Sequence, residues 1–217
     1  MCVIGTLLRG LLAVVLLVGS VAAQDLFINE FMAVNSSTLA DDTGDYDDWV
    51  EIYNAGSEAV NLAGMYLTDD LAEPTKCQIS AADAARTTIQ AGEYLIFWFD
   101  DDSEDGILHL DMQLSGDGED IGLFAADGVT EIDSVTYGAQ TVDVSYGRYP
   151  DGGDEWFFYD TPSPNSANDD SGIVRFANPP EFSHTRGFYS GAVSLQLTAD
   201  SGARVFYTLD GSEPTDG

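Results

Sequence analysis

Short apolar runs separated by turn-forming residues dominate the chain after residue 24. The clearest run alternates Val193, Leu195 and Leu197 with polar neighbours, and this period of two places one face of a strand in a core. One helical turn is predicted at 80–86, where alanines cluster. Many short strands without alternating helices predict an all-β sandwich or barrel. The predicted strands are 26–34, 49–53, 94–99, 107–112, 121–125, 132–137, 193–197 and 205–209.

The first 23 residues have the layout of a secretory signal peptide. Arg9 precedes an apolar run at 11–18, and small residues follow as far as Ala23. The apolar run is shorter than the roughly 20 residues that a membrane-spanning helix needs, although an uncleaved anchor remains the alternative. We therefore expect cleavage near Ala23, a mature chain without a membrane span, and a secreted protein that is extracellular or at the cell surface.

The charge balance excludes several classes of partner. The chain has 7 Lys and Arg against 38 Asp and Glu, a formal charge of −31. Nucleic acids and anionic lipids both require clustered basic residues, so neither is expected as a partner. The 44% hydrophobic content is typical of a folded chain. After signal cleavage only Cys77 remains, so a packed core rather than an internal disulfide must stabilise the fold.

A polar segment divides the mature chain. Residues 161–172 read TPSPNSANDDSG, with two prolines and no apolar side chain larger than Ala. This composition predicts a linker that proteases cut first, between one unit at 24–168 and a second at 173–217. The second unit is small for an independent core.

Eight motifs in the first unit occur in the order seen in one family. They are LFINEF at 26–31, DWVEIYN at 48–54, VNLAGMYLTD at 60–69, IQAGEYLIF at 89–97, LSGDGEDIGLF at 114–124, IDSVTY at 132–137, SYGR at 145–148 and TPSPN at 161–165. Together they resemble the lamin-tail domain of exported bacterial proteins. The resemblance implies an immunoglobulin-like β-sandwich and brings no catalytic residues with it.

The second unit is similar to the chitobiase/β-hexosaminidase C-terminal type of β-sandwich module. The similarity lies in PPEFS at 179–183, GFY at 187–189, the strand at 193–197 and VFYTLDGSEPT at 205–215. Because the pattern of that module continues beyond Gly217, we expect an incomplete module that is linked to further domains. Modules of this type are common in exported, carbohydrate-related proteins.

Catalytic chemistry has little support in the sequence. There is no Gly-x-Ser-x-Gly elbow, and the two histidines, His109 and His184, lie in different units. His109 belongs to an alternating run, which predicts a solvent-facing position on a strand. We expect no enzyme activity within the chain and no cofactor other than calcium.

Two acidic loops are the candidate calcium sites. Asp101, Ser103 and Asp105 have the spacing of a DxSxDG loop, whose alternate oxygens suit a hard cation, but Met112 stands where a closing Glu is needed. The second cluster contains Asp41, Asp45 and Asp47 beside Gly44. The alternative interpretation is that both loops are simply solvated.

Two tryptophans are candidates for stacking on a ligand. Trp98 lies between Phe97 and Phe99, and Trp156 opens a run of four aromatic residues. In each run the rings fall on both faces of a strand, so either ring belongs to the core or stacks on a sugar or partner protein.

These features predict a non-catalytic module for adhesion, scaffolding or targeting, with a cell-surface protein or polysaccharide as its partner. One alternative is the N-terminal accessory part of a secreted hydrolase or spore-coat-type kinase whose catalytic domain lies elsewhere. Another is a calcium-dependent carbohydrate-binding module.

Overall fold

A computed structural model describes residues 25–174, 180–199, 204–212 and 214, and it confirms the all-β fold class. The signal peptide predicted at 1–23 lies outside the described residues. Within them, the one helical element is a 3₁₀ turn at Asp170–Gly172. None of the described segments forms a helix with the length and apolar character that crossing a membrane requires.

Fifteen strands, most of them short, form the described structure. In chain order, β1 to β15 are Leu26–Met32, Asp48–Asn54, Val60–Asn61, Tyr66–Thr68, Cys77–Gln78, Thr88–Ile89, Tyr94–Phe99, His109–Leu110, Asp120–Phe124, Glu131–Thr136, Ser145–Arg148, Trp156–Tyr159, Ile173–Val174, Glu181–Phe182 and Leu197–Thr198.

Two sheets face each other across one apolar core. The larger has seven strands in the order β13-β12-β11-β1-β2-β7-β8, and the smaller has four in the order β10-β9-β4-β5. Side chains from both sheets, such as Phe31 and Val50 from one and Leu67 and Leu123 from the other, are fully buried in the same cluster. The strand pairs are antiparallel except for β7 with β8. The described part of the first unit is therefore a β-sandwich.

Side chains of strand β2 alternate between the core and the outer face of the larger sheet. Val50 and Ile52 point into the core between the sheets. Trp49 and Glu51 alternate with them and so point to the outer face, yet both are also fully buried. The outer face of the seven-stranded sheet is consequently covered by other parts of the chain.

Arg148 joins the two sheets from inside the sandwich. Its Nε donates to the carbonyl oxygen of Ile28 at 2.9 Å, and its NH2 group donates to both carboxylate oxygens of Asp133 at 3.0 Å. Asp133 also accepts the Ile28 amide at 2.7 Å, and the guanidinium lies over the Trp156 ring, 4.7 Å from its centroid. One side chain thereby connects β11, β1 and β10.

Several predicted elements differ in the structure. The helical turn predicted at 80–86 is a single turn in which the amides of Arg86 and Thr87 donate to Asp83, because pairing of β6 begins at Thr88. The strand predicted at 107–112 is limited to His109–Leu110. In the second unit, β15 lies at Leu197–Thr198 rather than 193–197, and the described residues 204–212 contain no strand, since no described segment pairs with them.

The segment predicted to be a linker lies against the first unit. Beyond it, β13 pairs with β12 through Ile173 opposite Tyr159. The seven-stranded sheet therefore extends past the predicted boundary at 168, to Val174.

Replacing Arg148 should destabilise the sandwich strongly. We expect Arg148→Ala to lower the free energy of unfolding by about 3 kcal/mol, because Asp133, whose side chain is only 15% exposed, would be left without its counter-ion. Urea denaturation measures this loss. Arg86→Ala is the matched control, since Arg86 forms only a half-exposed ion pair with Asp42 at 3.6 Å, and its loss should stay below about 1 kcal/mol. Equal losses in the two variants would contradict the assigned role.

Candidate functional site

The two acidic loops meet at one end of the seven-stranded sheet. Strand β2 begins at Asp48, which is paired with Phe99, the last residue of β7. Antiparallel pairing thus brings Asp47, just before β2, beside Asp100, just after β7. The sheet itself joins two loops that are separated by more than 50 residues in sequence.

Five side chains at this end form an acidic loop cluster: Asp41, Asp47, Asp100, Asp105 and His109. One carboxylate oxygen from each of Asp41, Asp47 and Asp100 lies within 4.8 Å of the others, and so do ligand atoms of Asp41, Asp105 and His109. Three carboxylates suit a hard cation such as Ca²⁺, whereas imidazole with carboxylates suits a transition metal. The second group adds nitrogen chemistry that the sequence did not predict.

Hydrogen bonds fix the loop that carries Asp41. The Asn35 side chain donates to the carbonyl oxygens of Leu39 and Asp47 at 2.6 and 2.8 Å. Asp41 accepts the amides of Gly44 and Asp45 at 2.7 and 2.8 Å. Burial acts to raise the pKa of Asp41, but these amide bonds outweigh it and lower the pKa.

Negative charge accumulates in the acidic loop cluster. Burial raises the pKa of Asp47, and the carboxylates of Asp100 and Asp41 raise it further. Besides His109, the basic side chain beside these loops is Arg86, which is 46% exposed and lies 3.6 Å from Asp42. A bound cation would relieve this repulsion among the carboxylates.

His109 is buried rather than solvent-facing, so that prediction from alternation was wrong. Its side chain is 1% exposed, and its Nδ1 and Nε2 lie 2.5 and 3.2 Å from oxygens of Asp100 and Asp42. The two loops close over the short strand β8 and supply acceptors for both ring nitrogens. Burial acts to lower the pKa of His109, but the bonds to Asp100 and Asp42 outweigh it and raise the pKa.

The structure brings together only part of the predicted metal set. Asp41, Asp47 and Asp105 contribute to the acidic loop cluster, whereas the carboxylates of Asp45 and Asp101 belong to neither ligand group. Asp45 accepts a hydrogen bond from Thr43, Asp101 is exposed with a φ of 58°, and the Ser103 amide donates to Asp111. The members of the acidic loop cluster are brought together by pairing between strand ends rather than by their spacing within one loop. The positions of Asp100 and Asp47 at the ends of predicted strands were the available signal.

A cleft of about 590 Å³ adjoins the cluster. His109 contributes to its wall, and so does the β5 segment that contains Cys77. Burial raises the pKa of the Cys77 thiol. Polar side chains supply much of the remaining lining, including Lys76, Ser80, Ser103, Glu104 and Asp111.

Both candidate stacking tryptophans pack against protein. Trp98 is 8% exposed and belongs to an outer-face cluster with Met32, Trp49 and Ile96, against which Leu39 also packs. Trp156 is partly buried, and its ring is stacked on Tyr146 with centroids 5.3 Å apart. Arg148 lies over the same ring. The role of these two tryptophans in ligand stacking stays a prediction.

The titration of His109 tests the site geometry. In EDTA, we expect the imidazole to titrate above its ordinary pKa of 6.5, because Asp100 and Asp42 favour its charged form. Asp100→Asn should lower that pKa, since it removes the closer charge. The chain has only two histidines, so NMR can follow the titration of each imidazole separately. The His184 signal is the internal control. An unchanged His109 midpoint in the variant would exclude the contact.

Comparisons with known families agree with the described architecture. The Lamin Tail Domain family matches residues 20–139, and the Chitobiase/beta-hexosaminidase C-terminal domain matches residues 184–217. Searches of curated proteins and of solved structures gave no match. The first family match covers more than half of the chain and contains both acidic loops, whereas β11 to β13 follow it. The chain therefore belongs to the lamin tail domain family and carries a short chitobiase-type segment after it.

Proposed function

We propose that this protein is a non-catalytic, exported module for adhesion, scaffolding or targeting at the cell surface. Its partner is a surface protein or a polysaccharide. The proposal combines the two matched domain types, which often serve as accessory modules, with the predicted signal peptide.

One observation carries the proposal: the polar residues of the sequence motifs form hydrogen bonds that shape loops and join the sheets. Asn54 is fully buried, donates to the carbonyl oxygens of Glu58 and Ile89 at 2.8 and 3.1 Å, and accepts the Gly56 amide at 3.0 Å. Asn35 orders the first acidic loop in the same way, and Arg148 joins the sheets. Residues committed to loop geometry support a binding scaffold better than a reaction centre.

Binding and catalysis can be separated in one experiment. The chain from residue 24, carrying a fluorescent label, is mixed with suspensions of chitin, cellulose or peptidoglycan and with washed bacterial cells. We expect saturable co-sedimentation with at least one of these surfaces, displaced by excess unlabelled chain, and no release of reducing sugar. Failure to sediment with every surface, or release of sugar above the blank, would contradict the proposal.

A second candidate is calcium-dependent recognition of a saccharide. The convergence of the two acidic loops beside a polar cleft favours it, because a cation bound at Asp41, Asp47 and Asp100 would stand next to the cleft lined by His109. Carboxylate oxygens would hold the ion, and sugar hydroxyls are suitable oxygen ligands for Ca²⁺.

Thermal unfolding tests the calcium site directly. A ligand at 100 times its dissociation constant stabilises a protein by about 2.7 kcal/mol, so millimolar Ca²⁺ should raise Tm by several degrees relative to EDTA. Asp47→Asn should remove most of that rise because it deletes one ligand. Asp117→Asn, at an exposed acid outside the cluster, should keep it. An unchanged Tm in the unmodified chain would leave the loops as solvated surface.

A further inference from the structure

Two glutamates lie side by side beneath the outer surface of the seven-stranded sheet. Glu30 on β1 and Glu51 on β2 are directly opposite each other in the strand register, and both side chains belong to residues with 0% exposure. Directly paired positions place the two Cβ atoms within about 5 Å. Each carboxyl group is therefore the neighbour of the other, away from water.

Residues 161–172, hereafter the strap, cover this pair. Glu30 accepts the Ser163 amide at 3.2 Å and the Ser163 hydroxyl at 3.3 Å, while Glu51 accepts the Asn165 amide at 2.5 Å. Asn165 has a φ of 61°, a left-handed conformation that Asn tolerates better than most residues. The strap follows β12 and leads directly into β13, which pairs with β12, so its path is fixed at both ends.

Neighbouring groups add to the network without supplying a cation. Ser145 donates to Glu30, and Asn29 donates weakly to Glu51 at 3.4 Å. Asp151 accepts from Asn168 and from the Tyr94 hydroxyl. The other titratable or charged groups facing this region are Tyr53, Tyr149, Tyr159 and Asp169. Among the described residues, no ion pair reaches either glutamate, and the Arg148 guanidinium is bound to Asp133 on the inner face.

We propose that Glu30 and Glu51 form a pH-sensitive latch, which holds the strap on the sheet at mildly acidic pH and loosens it as the pH rises. A carboxylate pair without a counter-ion favours the state in which at least one member is protonated. A protonated carboxyl group keeps an oxygen that can accept a strap amide. Two adjacent carboxylates in a buried site would instead repel each other and draw in water.

The direction of the pH effect follows from the titration of the pair. Burial raises the pKa of Glu30 to about 7. For Glu51, burial raises the pKa to about 8; the hydrogen bond from the Asn165 amide acts to lower it, and the Glu30 charge adds to the rise. An exposed Glu titrates near 4.5, so the closed strap binds protons more tightly than the open one. Its stabilisation is complete below about pH 4.5 and is lost as the pH rises through 7 and 8.

Loosening would affect more than one local contact. The strap leads directly into β13 and then towards the second unit, and its amides cover a face that carries Glu30, Glu51 and Asp151. An open strap would expose three acids to solvent and detach the chain that follows Tyr159 from the sheet face. The latch therefore links pH to how firmly residues 161–174 are held on the sheet.

Hydrogen exchange at the strap tests the latch. In the chain from residue 24, we expect the protection factors of the Ser163 and Asn165 amides, corrected for intrinsic exchange, to fall at least about tenfold between pH 5.5 and 8.5. If the pKa of a group differs by one unit between the closed and the open strap, its titration changes the closed–open equilibrium constant by a factor of ten. Amides in the centre of β2 should keep their protection over the same range. Protection at Ser163 and Asn165 that is independent of pH would overturn the proposal.

Glutamine variants identify the groups responsible. Glu51→Gln keeps an acceptor for the Asn165 amide but cannot ionise, so the pH dependence at Asn165 should become smaller while protection at pH 5.5 remains. Glu30→Gln provides a second, independent variant with the same expectation at Ser163. Glu58→Gln, at an exposed site, should behave like the unmodified chain. An unchanged pH dependence in both Glu30→Gln and Glu51→Gln would contradict the latch even if the strap itself opens.

Discussion

The structure depends on how the larger sheet accommodates two carboxyl groups on its outer face. Burying a charge without a partner is costly unless the group is protonated or fully hydrogen-bonded. Glu30 and Glu51 meet this constraint through donors from the strap, from Ser145 and from Asn29. The strap is thus a part of the sandwich, and the sheet face it covers is polar at its centre.

The inner face uses the opposite arrangement, a buried cation with a matched acid. Arg148 and Asp133 bind across the core and hold β1 against β10. Around this frame, Asn35 and Asn54 order the loops at opposite ends of β2. These hydrogen bonds hold the acidic loop cluster at one end of the sheet, and this connects the fold to the proposed binding function.

The sequence predicts the fold better than the site. Strand 94–99 was found with its bounds because its ends are marked by Gly92 and a run of aspartates. His109 was misplaced because alternation gives the face of a residue but not whether a loop covers that face. The strap looked like a linker because Pro, Ser and Asn are equally suited to a solvated spacer and to binding buried carboxylates. Three of the five members of the acidic loop cluster were predicted, and the other two were missed because strand pairing, rather than local spacing, joins the members.

Limited proteolysis of the chain from residue 24 tests the central claim most directly. A protease of broad specificity is applied at pH 6, and the resistant fragment is mapped by mass spectrometry. If the strap belongs to the sandwich, the resistant fragment will include residues 161–172. A resistant fragment that ends before Thr161 would show that these residues are a linker, and it would contradict the assigned role of Glu30 and Glu51.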